Sequence, residues 1–144
     1  PELERVGLSG TAGIRVPPPE ASALRRLARE VLGRAGPGEP IFLAPLRSDI
    51  VAETPLILHF LLDRPNVLER DALLLARPAE QKRVVAVLRE RRPLVVRWTD
   101  PRSSRREPNR RGRPSGSRAL DAFLSQAYER RARIGPYDVL QARR

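Results

Sequence analysis

The sequence predicts a single α/β domain of three layers, with a mostly parallel central sheet flanked by helices and a β-hairpin at its C-terminal edge. Three observations carry that reading. Stretches of helical periodicity alternate with short apolar runs; the two clearest runs, Ile41-Phe42-Leu43-Ala44 and Leu94-Val95-Val96-Arg97-Trp98, stand far enough apart for a crossover; and Gly135-Pro136 separates two closing strand-like segments. A chain of 144 residues is long enough to bury one core.

Residues 1–19 combine small residues, a short apolar patch and the stop Pro17-Pro18-Pro19. They are expected to be an extended linker, leaving residues 20–144 as the folded part. From Ala21, the residues Leu24, Leu27, Ala28 and Val31 recur at helical spacing, and Gly33 follows where a C-terminal cap belongs. The run beginning at Ile41 is closed by Pro45 and reads as a buried strand. Thr54-Pro55 supplies an N-cap and a first-turn proline for a helix over 56–62, whose all-round apolarity predicts burial.

The segment 66–77 stays open between a short strand at Leu73-Leu74-Leu75 and a packed loop. Pro78 opens a helix reaching Arg91 with Val84, Val85 and Leu88 on its inner face, and Pro93 precedes the second strand. Strand, helix, helix and strand at this separation imply a right-handed crossover and a parallel pair. A basic loop over 99–116 follows, broken by Pro101, Pro108, Gly112, Pro114 and Gly116. Another helix starts near Ser117 with Leu120, Phe123, Leu124, Ala127 and Tyr128 on one face, and the hairpin joins 132–134 to 137–140.

Composition narrows the chemistry. Codon bias in a GC-rich genome explains why Lys82 is the one lysine, but not the excess of 28 basic over 17 acidic residues. A net charge of +11 favours polyanionic partners: nucleic acid, anionic lipid or a phosphorylated substrate. With no cysteine and one histidine, thiol nucleophiles, disulfides and histidine-based zinc sites are excluded, and neither a metal nor a cofactor is expected. No apolar run approaches the roughly 20 residues of a bilayer span, the longest being 55–62. The absence of methionine and the start at Pro1 favour a fragment of a longer protein.

Several residues qualify as catalytic candidates. His59 can act as a general base, but it sits in the most apolar helix, where packing explains it better. Asp49, Glu53 and Asp63 can form a carboxylate pair if loops unite them, although capping or ion pairing is the plainer role. Residues 44–48 lack the glycines of a phosphate cradle, and Gly7-Leu8-Ser9-Gly10 lacks the spacing of a nucleophile elbow. The strongest polar feature is the arginine-rich loop. Guanidinium forks match phosphate oxygens bidentately, so Arg105, Arg106, Arg110, Arg111 and Arg113 are the expected contacts to an anionic carrier or phosphate. No aromatic residue lies among them to stack on bases.

Read in order, Pro40-Ile41-Phe42-Leu43 after a Gly-Pro-Gly turn, Phe60-Leu61-Leu62-Asp63-Arg64-Pro65, Glu80-Gln81 and Leu94-Val95-Val96 form one pattern. It continues through Glu107-Pro108-Asn109, Gly116-Ser117, Leu120-Asp121, Tyr128 and the closing Ile134-Gly135-Pro136-Tyr137-Asp138-Val139-Leu140. The pattern covers most of the chain after Pro19. It resembles the soluble C-terminal domain of bacterial polytopic glycosyltransferases of the GT-C class, which are related to protein mannosyltransferases.

That resemblance implies a parent enzyme that moves a sugar from a polyprenyl-phosphate carrier at the extracytoplasmic face of the bacterial membrane. The family's catalytic acids lie in an early loop of the membrane portion, so no catalytic residue is expected in this chain. Its expected work is to cover the membrane site and help bind the acceptor or anionic carrier. Its expected partners are the membrane portion of the same polypeptide and anionic lipid. Residues 1–16 balance Glu2 and Glu4 against Arg5 and Arg15, and a domain of this length translocates regardless of its charge. The alternatives are a cytoplasmic nucleic-acid-binding domain using the same loop and a small hydrolase using Asp49, Asp63 or His59.

Overall fold

A computed structural model of the chain describes residues 2–8, 11, 13–50, 54–69, 75–101 and 114–144. The beginning departs from the expected extended linker. β1 (Glu4–Arg5) pairs antiparallel with β2 (Arg15–Val16), and Thr11 closes the turn between them, its hydroxyl donating to the Leu8 carbonyl at 2.6 Å. Val6 is fully buried, and Leu8, Ile14 and Val16 pack partly against the same core. These apolar side chains gain more from a neighbouring helix than from water, which folds the segment back.

That helix, α1 (Pro18–Leu32), starts inside the segment assigned to the linker. Proline tolerates the first turn because its missing N–H would have no partner there. The predicted face is the buried one: Leu24, Leu27, Ala28 and Val31 are all inside. Gly33 closes the helix with a right-handed φ of −75°.

β3 (Ile41–Ala44) and β4 (Leu94–Trp98) form the anticipated parallel pair, in register from Ile41 opposite Leu94 to Ala44 opposite Arg97. β5 (Tyr128–Ile134) and β6 (Tyr137–Ala142) form the hairpin. The four strands run in the order β3-β4-β6-β5, so the sheet is mixed, not mostly parallel. β6 lies antiparallel against β4, and a two-residue turn can return β5 only antiparallel to β6. One parallel pair therefore stands beside two antiparallel ones.

Alternation along the strands sends residues to opposite faces. Ile41, Leu43, Leu94, Val96, Tyr137 and Val139 join α1 in one core cluster. Phe42, Ala44, Val95, Leu140 and Tyr128 join Val84, Val85 and Leu88 of α3 (Pro78–Arg91) and Leu120 and Leu124 of α4 (Ala119–Ala127) in the other. Tyr128 was expected on the face of the last helix; it is instead the first residue of β5, buried, its hydroxyl donating to the Pro93 carbonyl at 3.0 Å. Burial pushes that phenol up to about 12.

α2 (Ile57–Leu61) corrects another expectation. It has five residues, its N-cap is Leu56 instead of Thr54, and no side chain caps it. Leu58 and Leu61 are buried, but Ile57 is 55% and Phe60 63% exposed. Little more than one turn offers only one side to α1, so uniform apolarity cannot bury it all round. Arg64 fixes its exit: the guanidinium is buried and donates to the Ala35 carbonyl at 3.0 and 2.9 Å and to the Asp63 carbonyl at 2.7 Å. Of the open segment, Leu75 packs partly on the second cluster, while Leu73 and Leu74 lie outside the described residues.

β5 is an outer strand of the sheet, with Glu129 to Arg133 half-buried or exposed and a bulge between Arg130 and Ala132. Its turn depends on Gly135, whose φ of +52° belongs to the II′ class of hairpin turn. A Cβ there would also lie 3.2 Å from the Ala23 methyl. Gly135→Ala is expected to cost about 1–2 kcal/mol, measured as a lower urea midpoint with an unchanged slope.

Candidate functional site

α3 and α4 both start at the carboxyl end of the parallel strands, where the loop after β3 meets them. Gln81, fully buried in the first turn of α3, organises that meeting. Its amide nitrogen donates to the carbonyls of Ser48 at 2.8 Å and Ser117 at 3.2 Å. Its amide oxygen accepts from the Ser117 hydroxyl at 3.1 Å and the Leu120 N–H at 3.2 Å. Two donors and two acceptor sites are all that an amide has, so Gln81 is fully satisfied.

Asp121, in the first turn of α4, is the second centre. It accepts from the Ser48 N–H at 3.2 Å and from the Ser48 hydroxyl at 2.9 Å. Arg97, from β4, lies 3.2 Å away and Arg118 3.6 Å. The backbone N–H that a nucleotide phosphate would take after a first strand is thus already given to an internal carboxylate, consistent with the missing glycines. Ser48 has no exposed surface, so its hydroxyl serves packing and not attack on a substrate.

Asp49 is buried and held by a two-pronged bond from Arg47, at 2.9 and 2.7 Å. That bond, above all, lowers its carboxyl below the usual carboxylate value, against the opposing effect of burial. Asp49 also fixes the far side of the arginine-rich segment, because its carbonyl accepts the Ser115 N–H at 2.7 Å. The near side leaves β4 beside Arg97 and passes Thr99, whose N–H donates to the Pro136 carbonyl at 2.7 Å. Both ends of the segment are therefore anchored at the carboxyl end of the parallel pair, next to Arg47, Arg97 and Arg118.

The sequence candidates fare unevenly. Arg105, Arg106, Arg110, Arg111 and Arg113 lie outside the described residues, as does Glu53. Asp63 is exposed with a φ of +49°, two residues before Pro65, whose carbonyl accepts the Ile41 N–H at the amino end of β3. Asp49 follows the carboxyl end of the same strand, so the two carboxylates are kept apart and form no pair. His59 places Nδ1 3.0 Å from the Arg64 carbonyl, and in the Nδ1–H tautomer it donates there, as a residue that stitches a helix end would. Among the described residues no group of three metal-ligating side chains assembles, and no helix is long and apolar enough to cross a membrane.

Arg47, Gln81, Arg97, Arg118 and Asp121 were not singled out as a site from the sequence. Gln81 and Asp121 do occur in the motifs Glu80-Gln81 and Leu120-Asp121 quoted for the resemblance, each in the first turn of a helix. A polar residue there faces the strand ends, and that position was the available signal. Compared with known proteins, the chain matches no family model, no curated protein and no solved structure.

Gln81→Leu removes four hydrogen bonds while keeping the volume, leaving buried backbone groups unsatisfied. It is expected to cost about 3 kcal/mol, measured by urea unfolding. For Asp49 the folded carboxyl titrates below the unfolded value of 3.8, so its contribution is present above that pH and is lost as pH falls through the lower folded value. Asp49→Asn should flatten that acid limb of the stability profile, with little change in its shape at neutral pH.

Proposed function

We propose that this chain is a non-catalytic module appended to a bacterial membrane glycosyltransferase that uses a polyprenyl-phosphate-linked sugar. In this reading it sits at the extracytoplasmic face, covers the membrane-embedded site and helps bind the acceptor or the anionic carrier. One observation carries the binding role: the arginine-rich segment is anchored at both ends beside Arg47, Arg97 and Arg118, where α3 and α4 begin.

Helix starts carry partial positive charge, and ligands of α/β sheets favour the carboxyl ends of parallel strands, so both effects draw an anion to this place. Arg97 Nε is buried without an acceptor among the described residues, so its guanidinium keeps hydrogen-bonding capacity that Asp121 does not use. The order of the sequence motifs supports the membrane-enzyme part of the proposal. The three-layer reading of the fold is supported by α1 packing with one set of alternating strand residues and α3 and α4 with the other.

Replacing Arg105, Arg106, Arg110, Arg111 and Arg113 with glutamine should weaken binding to liposomes containing anionic lipid. The loss should be largest at low salt, where charge attraction is least screened. Unchanged liposome binding removes the role. Tighter binding to duplex DNA than to these liposomes at about 150 mM salt, lost in the same variant, would select the nucleic-acid alternative.

A further inference from the structure

We propose a second anion site, at the opposite, amino end of the parallel strands, that takes a phosphate or pyrophosphate group through Arg34, Arg91, Arg92 and Arg143. It is independent of the arginine-rich segment. A cleft of about 530 Å³ opens there, within the range of roughly 300–1,000 Å³ usual for small-molecule sites.

Three chain segments bring cations to it. Arg34 follows α1, Arg91 and Arg92 end α3, Arg143 and Arg144 follow β6, and the acidic side chain among the lining residues is Glu39. Their positions are braced. Arg34 is held by Glu30 at 2.6 Å, Arg92 donates to the Arg143 carbonyl, and the Arg143 N–H donates to the Ala127 carbonyl at 2.8 Å.

A plainer role for arginines here is to offset the negative ends of α1 and α3. Each helix end amounts to about half a charge, so those ends together with Glu30 and Glu39 leave about two guanidinium charges unbalanced. Backbone geometry adds to the argument. Arg92 caps α3 in the left-handed region, with φ +47°, a place where glycine is commonest. The strain is tolerated where it holds a guanidinium over the cleft.

Guanidinium forks bind phosphate oxygens in pairs, and several converging forks favour a group with more than one negative charge. Pro93, Leu94 and Ala142 give the cleft an apolar side, which leaves room for the organic part of a phosphate ester. The same headgroup chemistry can arrive on a lipid or on a soluble metabolite.

The test uses the full chain with Arg105, Arg106, Arg110, Arg111 and Arg113 changed to glutamine, so that the arginine-rich segment contributes no charge from these positions. Calorimetric titration with inorganic pyrophosphate should still give binding, and adding Arg91→Gln and Arg143→Gln should weaken it at least tenfold. Both side chains are exposed, so the fold should persist, which circular dichroism checks. Vesicles containing phosphatidic acid form the second arm. Loss in both arms or on vesicles alone assigns a lipid headgroup, and loss with pyrophosphate alone assigns a soluble phosphate. No pyrophosphate or vesicle binding before the second pair is changed, or binding indifferent to that pair, overturns the site while leaving the liposome result of the first site untouched.

Discussion

A buried amide carries more of this architecture than its size suggests. Gln81 ties its own helix to two stretches of chain far from it in sequence: the loop after β3, and the approach to α4 together with its first turn. Each bond contributes only about 1 kcal/mol net, but an unmet buried partner costs about 1–3 kcal/mol. The arrangement is therefore close to all-or-none. With Gln81 in place, Ser48 is turned toward Asp121, Asp121 toward Arg97, and the end of the sheet where two helices begin becomes one rigid body.

The distribution of charge follows from where the acids are consumed. Asp49 is matched by Arg47, Asp121 by Arg97 and Arg118, Asp138 by Arg133 and Arg130, Glu80 by Arg83, and Glu4 by Arg25. The exposed pairs add little stability, on the order of 0–1 kcal/mol each. They do, however, cancel charge locally. Part of the surplus behind the net +11 gathers at the amino end of the sheet, where several chain segments converge.

Elements with strong local signals were legible in the sequence. The helix Pro78–Arg91 begins and ends where proline and periodicity place it, and the strands at Ile41 and Leu94 pair in parallel as their separation implies. The hairpin was legible too, because Gly135-Pro136 specifies its turn. Sheet order was not: nothing local to Val139 or Leu140 states that β6 docks on β4, a choice made by distant partners. The exposure of Phe60 was equally hidden, since a short apolar run does not say how much of it the rest of the chain can cover. The polar junction was invisible for the same reason: Ser48 and Asp121 are 73 positions apart, and their meeting is a product of the fold.

β5 has a consequence for how copies of the protein meet. An unpaired strand edge is a template on which a second chain can add its own strand, the first step toward stacked fibrils. Here Arg130, Arg131 and Arg133 line it, and the irregularity beside Arg131 interrupts its row of backbone donors and acceptors. Arg130 and Arg133 share Asp138 and Arg131 is held by Glu129, so three guanidinium groups face two carboxylates; a second copy would meet a bent rim of net positive charge, which opposes growth of the sheet from molecule to molecule.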